Sequence, residues 1–179
     1  MKQNIVSFIS YLIVLVIYSI LNVLPRRIGL LFGRILGRII YFLLPIRKNV
    51  AEKNIKEAFP NKSYKYHREI LKKSYLHFGM VLVDFLRMKR LNKTNIKKII
   101  NIDDKTQQIL KENEGAIIMT GHLGNWEYFL PAIGINGIPF CIVAKEIKNN
   151  FLNNLFLSIR TRENVKIIFK GEKSIAMMN

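Results

Sequence analysis

The stretch GAIIMTGHLGNWEYFLPAIG, residues 115–134, decides the fold that is predicted for this chain. Its first six residues form a short apolar run that is typical of a buried β-strand. NWEYFLPAIGI, residues 125–135, is typical of a short helix, and His122 lies in the turn between the two. A strand, a turn and a helix in this order begin a βαβ unit, which predicts an α/β fold.

The same alternation continues after this stretch. Residues 138–145 are predicted to form a strand, residues 149–164 a helix, and residues 165–170 another strand. The apolar neighbours of Cys141 in the first of these strands predict a buried thiol. The final residues, 171–179, open a further helix, and no strand follows it in this sequence. We therefore expect a partial, mainly parallel sheet with flanking helices.

The residues that precede this region are predicted to be helical. Apolar positions recur at helical spacing in residues 47–59 and 64–90. Residues 103–113 also fit a helix, with Asp103 or Asp104 as its N-cap. Residues 95–102 fit either a strand or a helix.

An uncharged, apolar run from residue 4 to residue 25 opens the chain. About 20 apolar residues span a bilayer as a helix. The alternative is a cleaved signal peptide, whose apolar region would be shorter and would end in small residues. Residues 1–25 are therefore predicted to be a retained transmembrane anchor, and residues 26–179 to form one domain. Basic residues follow the run and no acidic residue precedes Glu52, so the positive-inside rule predicts a cytoplasmic domain.

Residues 28–44 form an amphipathic pattern with two interpretations. Arg34 and Arg38 share one helix face, and large apolar side chains crowd another. Such a helix either lies among lipid headgroups with its arginines on phosphates, or packs on the domain as an ordinary helix.

The composition indicates an anionic partner. The chain of 179 residues carries 29 Lys and Arg against 12 Asp and Glu, a formal net charge of +17. Nucleic acid, anionic lipid and an acidic protein all suit this charge. No nucleic-acid reader motif and no aromatic-interleaved basic strip is present, which argues against nucleic acid. The single cysteine excludes an internal disulfide and a multi-cysteine metal site.

His122 and Glu127 form the candidate catalytic pair. His122 directly follows a predicted strand, and functional residues of open α/β sheets gather at the carboxyl ends of strands. From the following helix, Glu127 can accept a hydrogen bond from Nδ1–H of the imidazole, leaving Nε2 free to take a proton. Gly121 and Gly124 permit a tight turn and close approach of a substrate. The alternative is a structural histidine beside a carboxylate at a helix N-terminus.

The residues beside His122 and the motifs that the chain lacks indicate which reaction such a pair would catalyse. No Ser or Cys nucleophile lies beside His122, so a base there would deprotonate a substrate hydroxyl that attacks an acyl group. The chain lacks the Gly-x4-Gly-Lys-Ser order of a P-loop, the Gly-x-Gly-x-x-Gly of a dinucleotide fold and the Gly-x-Ser-x-Gly of a serine hydrolase. The sequence therefore favours acyl transfer over these three classes.

Three segments of the chain resemble a known family. TGHLGNWEYF, residues 120–129, resembles the His-x4-Asp/Glu motif of the bacterial lipid A biosynthesis acyltransferases, which belong to the lysophospholipid acyltransferase superfamily. Residues 47–63 are similar to the family's Arg…Asn-Leu…Phe-Pro segment. Residues 143–164 are similar to its Tyr-Arg-Pro…Asn-Pro…Arg…Arg stretch, except that Lys145 replaces an arginine and both prolines are absent.

The resemblance implies a glycerolipid acyltransferase-like fold and a membrane-bound enzyme without metal or cofactor. Its reaction would move a fatty acyl chain from acyl carrier protein, or from coenzyme A, to a hydroxyl of a lipid A precursor or related glycolipid. The implied location is the cytoplasmic side of the bacterial inner membrane. His122 would be the general base and Glu127 its partner. The implied substrate-binding residues are Arg160, Lys145, Asn125 and Asn149, and the alternative role for Arg160 is to stabilise the thioester oxyanion.

The partners implied by the resemblance suit the charge of the chain. Acyl carrier proteins are acidic, and lipid A precursors and the inner membrane carry phosphates, whereas this chain is basic. The family sequence continues past the position of Asn179, so we expect residues 26–179 to be the N-terminal part of an acyltransferase domain. The alternatives are a non-catalytic basic protein that binds a membrane surface, and an inactive fragment.

Overall fold

Helices make up most of the chain in the computed structural model, which describes residues 2–44, 46–112 and 117–170. The chain divides into two compact units. The first comprises the described residues up to Asn22 and those from Phe85 onward, and the second runs from Val23 to Asp84. The predicted helix at the end of the chain, in residues 171–179, lies outside the described residues.

The helices follow the predicted pattern closely. The α-helices are α1 (Lys2–Val23), α2 (Arg26–Leu43), α3 (Lys48–Ala58), α4 (Tyr64–Leu86), α5 (Lys93–Ile96), α6 (Asp104–Glu112), α7 (Phe129–Ile135) and α8 (Asn150–Arg160). Short 3₁₀ helices run from Met88 to Arg90 and from Trp126 to Tyr128. The segment 95–102, which the sequence left open, is the end of α5 followed by turns. Asp103 is the N-cap of α6, because its Oδ1 accepts from the Thr106 amide at 2.9 Å.

Helix α1 contacts the rest of the first unit near both of its ends. Its segment Asn4–Val23 is 20 residues long and is apolar and long enough to cross a membrane. One stripe of the helix nevertheless contacts protein: the Asn149 side chain donates to the Ser7 carbonyl at 2.9 Å near one end. At the other end the Asn22 side chain donates to the Leu86 carbonyl at 3.0 Å. The apolar residues on the opposite side of α1 are exposed.

The core of the first unit joins α7, α8 and the segment that follows α4. Its buried cluster consists of Phe85, Met88, Leu91, Ile96, Tyr128, Ala132 and Ile159. Tyr18 of α1 packs against this cluster. Arg162 helps to hold the segment, since its guanidinium donates to the carbonyls of Met88 and Leu91. Burial lowers the pKa of this guanidinium from its usual value.

The second unit depends on close contact between α2 and α4. A Cβ atom at Gly33 would lie 2.5 Å from the carbonyl oxygen of Gly79, and one at Gly37 would lie 2.3 Å from that of Tyr75. Such distances leave room for hydrogen atoms only, so glycine lets the two helix backbones approach. Arg26 and Asp84 add a bidentate ion pair within the same unit.

The sheet consists of two parallel strands, β1 (Phe140–Ala144) and β2 (Val165–Phe169), with Phe140 opposite Val165. Helix α8 forms the crossover, as the sequence predicted. The predicted strand at 115–120 is not formed in its described part: residues 117–120 have no regular structure, and Ile117 and Met119 are 101% and 96% exposed. Without a neighbouring strand to supply hydrogen bonds, an apolar run has no ladder to join.

The exposure of Cys141 corrects the expectation of a buried thiol. Successive side chains of a strand point to opposite faces, and β1 alternates between half-buried and exposed positions. Cys141 and Val143 fall on the exposed face. The apolar run around Cys141 therefore marked a strand correctly, but only one of its two faces is covered among the described residues.

Candidate active site

A cavity of about 1010 Å³ lies in the first unit, against β1. The side chains of Phe129, Leu130, Phe140 and Ile142 give it a largely apolar wall. Its lining also includes four of the polar residues that the sequence analysis singled out, namely His122, Glu127, Lys145 and Arg160. A site of this size, with an apolar wall and a few convergent polar groups, is typical of small-molecule binding.

Glu127 and Arg160 form a bidentate ion pair in this cavity. Arg160 donates through Nε to Oε2 at 3.1 Å and through Nη2 to Oε1 at 2.7 Å. The side chains of the arginine and the glutamate are 24% and 15% exposed, so the pair is shielded from water. The fork of the guanidinium matches the carboxylate geometry and fixes the orientation of both groups.

The local fold places the two partners opposite each other. Glu127 is the central residue of the 3₁₀ helix Trp126–Tyr128, which is anchored by the buried Tyr128. Arg160 is the last residue of α8, directly after the fully buried Ile159. Tyr128 and Ile159 belong to the same core cluster, so core packing sets the separation of their polar neighbours. The Phe85 ring adds a cation–π contact 4.9 Å from the Arg160 guanidinium carbon.

His122 lines the cavity and is exposed. Its ring centroid is 4.7 Å from that of Trp126, with the two planes inclined by 51°. Among the described residues, the imidazole makes no hydrogen bond to Glu127, whose two oxygens both accept from Arg160. Gly124 adopts a φ of 56°, a left-handed conformation that glycine permits and that turns the chain between His122 and Trp126.

The other predicted binding residues divide between the cavity and the scaffold. Lys145 directly follows β1 and is exposed in the cavity lining, as expected for the carboxyl end of a strand. Asn125 lines a neighbouring cavity of about 360 Å³ instead. Asn149 caps α8, because its Oδ1 accepts from the Leu152 amide at 3.2 Å, and its amide group donates to Ser7.

Two lining residues had no predicted role as polar or reactive groups in the site. Cys141 is exposed and is among the residues that line the cavity. Trp126 contacts His122 and also lines the cavity. Strand alternation could have identified the exposure of Cys141, because its side chain lies on the face of β1 opposite to that of the half-buried Ile142.

Comparison with known proteins identifies the family. The sequence profile of a family described as bacterial lipid A biosynthesis acyltransferase matches residues 2–178, almost the whole chain. No curated protein and no solved structure matches the chain. The family match confirms the resemblance of the chain to this family. The chain belongs to the bacterial lipid A biosynthesis acyltransferase family.

Proposed function

We propose that this chain acts as a membrane-bound acyltransferase of the bacterial inner membrane, with its active site on the cytoplasmic side. It would move a fatty acyl chain from acyl carrier protein to a hydroxyl of a lipid A precursor or a related glycolipid. The observation that carries the proposal is the presence of His122 and the Glu127–Arg160 pair in one cavity with an apolar wall.

In the proposed reaction His122 is the general base. Its Nε2 takes the proton from the acceptor hydroxyl while the oxygen attacks the thioester carbonyl carbon. The tetrahedral intermediate then expels the carrier thiolate as the C–S bond breaks. The thiolate receives the proton from the imidazolium, so that an ester and a free thiol result and His122 is neutral again.

Glu127 would orient the histidine while Arg160 orients Glu127. A carboxylate offers about four lone-pair positions, and the guanidinium fork occupies two of them. The remaining positions are open to Nδ1–H of the imidazole when the ring turns toward this carboxylate. Nη1 of Arg160 has no acceptor among the described residues, which leaves this donor for the oxyanion of the intermediate.

The wall of the cavity and helix α1 suit a lipid reaction. Phe129, Leu130, Phe140 and Ile142 offer the apolar contact that an acyl chain requires. Helix α1 packs on the unit that holds the cavity, so insertion of α1 into lipid would bring the cavity to the membrane. Lys145 would attract a phosphate of the acceptor or an acidic carrier protein.

The direct test is acyl transfer by the protein in vesicles. Acyl carrier protein charged with a radiolabelled fatty acid is supplied together with a lipid A precursor, and the acylated product is separated by its mobility. We expect label in the glycolipid, and less label when acyl-coenzyme A replaces the carrier protein. A non-catalytic basic binding protein would associate with the vesicles and transfer no label.

A further inference from the structure

Helix α2 has three distinct faces. At 3.6 residues per turn, Gly29, Gly33, Gly37 and Tyr41 fall on one side, and all four are buried. The contacts of Gly33 and Gly37 with the backbone of α4 show that this side is the packing face. The remaining two faces of the helix are therefore free of this contact.

The face opposite the glycines is apolar and exposed. Leu31 is 58% exposed and Ile35 is 50% exposed, although large aliphatic side chains favour burial. The members of this apolar stripe are Ile28, Leu31, Phe32, Ile35, Ile39, Phe42 and Leu43, all of them exposed. A contiguous stripe of seven large apolar side chains in one helix is typical of a surface that contacts lipid or protein.

A line of arginines borders the apolar stripe. Arg27, Arg34 and Arg38 fall on one side of α2, between the glycine face and the apolar stripe, and all three are exposed. None of them lies within 4.0 Å of a carboxylate in the part of the chain that the structure describes. The acidic Asp84 of this unit pairs with Arg26 instead. The three arginines are thus available to an anionic partner.

The apolar stripe and the arginines together favour an anionic lipid leaflet as that partner. We propose that α2 lies in the plane of the membrane, with its apolar stripe among acyl chains and its arginines on lipid phosphates. A helix that crossed the bilayer would carry Arg34 and Arg38 into the hydrocarbon, because both lie near its middle. In the plane, every arginine stays at headgroup level while the apolar stripe is immersed.

The single cysteine of the chain allows a depth measurement. On a Cys141→Ser background, single cysteines at positions 31, 35 and 42 carry an environment-sensitive nitrobenzoxadiazole label, and position 56 on α3 is the exposed control. The protein is placed in vesicles of phosphatidylethanolamine and phosphatidylglycerol that contain lipids brominated at defined depths. The three labels on the apolar stripe should show blue-shifted emission and equal quenching by shallow bromines, and the control should show neither.

Three results would overturn the proposal. Positions 31 and 42 lie about 16 Å apart along the axis, so a crossing helix would give them different depths. Water-like emission at all three positions would show that the face does not meet lipid. A blue shift without quenching by any brominated lipid would show that protein covers the face, including a second copy of the chain.

A charge reversal separates the arginines from the apolar stripe. The Arg34→Glu/Arg38→Glu double variant should lose shallow quenching at position 35, whereas the matched Lys56→Glu/Lys65→Glu variant should keep it. This loss of shallow quenching should be seen in vesicles that contain phosphatidylglycerol. Equal quenching in the two double variants would contradict the assigned role of the arginines. Because the readout is label depth, it is independent of acyl transfer.

Discussion

The guanidinium of Arg160 donates to both carboxylate oxygens of Glu127, at 3.1 Å from Nε and 2.7 Å from Nη2, across 33 residues of sequence. The pair is largely shielded from water, so removal of either side chain would leave the charge of the other without its partner. It also means that the acid predicted to orient His122 is itself oriented by a second residue. Arg160 is thus a positioning residue for Glu127 as well as a candidate donor to substrate.

The first prediction concerns that positioning role. Arg160→Lys keeps the charge but removes the fork, so Glu127 loses one of two charge-assisted hydrogen bonds. We expect kcat for acyl transfer to fall by about 10- to 100-fold, which corresponds to the ~1.5–3 kcal/mol of one such bond. The KM for the glycolipid should change little. A raised KM with unchanged kcat would instead assign Arg160 to substrate binding.

The second prediction concerns the contact between α2 and α4. In Gly79→Ala the new Cβ would lie 2.1 Å from the carbonyl oxygen of Gly33, which is backbone and cannot rotate away. We expect the free energy of unfolding to fall by about 1–3 kcal/mol, the usual cost of overpacking, in thermal or denaturant unfolding in detergent. Ser74→Ala, on an exposed position of the same helix, is the control and should stay close to wild type.

The third prediction uses the exposed thiol in the cavity wall. N-ethylmaleimide should modify the exposed Cys141 in the folded protein and inhibit acyl transfer, because Cys141 and His122 line the same cavity. Bound acyl donor should slow the modification, measured by mass spectrometry. Whatever activity Cys141→Ala retains should be insensitive to the reagent. Modification of wild type without inhibition would show that the acyl chain does not use this cavity.

The fourth prediction concerns the N-terminus of α6 in acid. Hydrogen bonds from the Thr106 hydroxyl and amide hold the pKa of Asp103 below its usual value. A depressed pKa in the folded state means that the cap stabilises α6 fully above the ordinary aspartate pKa of about 3.9. This contribution is lost as the pH falls through the folded value.

Hydrogen exchange of the peptide that covers α6 measures this loss. Protection should decrease in acid for wild type, after correction for the intrinsic pH dependence of exchange. Asp103→Asn retains an acceptor that does not titrate in this range, so its protection should not share the decrease. If both proteins lose protection equally, titration of Asp103 is not the cause.

The local sequence pattern was sufficient to predict most helices and strands, but not which strands pair. Strands β1 and β2 and helix α8 lie where apolar runs and helical periodicity predicted them. The apolar run at 117–120 has the same composition as a strand, yet no strand of the described chain pairs with it. Strand formation depends on a neighbouring strand as much as on the apolar run itself. The pattern of the run alone does not show whether such a neighbour is present.

The candidate site shows the same limit. His122 and Glu127 were identified from their types and spacing, Arg160 and Lys145 from the family resemblance, and all four line one cavity. The ion pair between Glu127 and Arg160 was not predicted, because it depends on how Tyr128 and Ile159 pack in the core. The amphipathic pattern of α2 was visible, but its packing face became clear only from the contact with Gly79.

Acyl transfer by His122→Ala in vesicles tests whether His122 is the general base, with His77→Ala, at an exposed position on α4, as the matched control. Loss of a general base should lower kcat by about 10²- to 10⁴-fold. We expect that fall for His122→Ala, with membrane binding intact, and near-wild-type transfer for His77→Ala. Undiminished transfer by His122→Ala would contradict this role for His122.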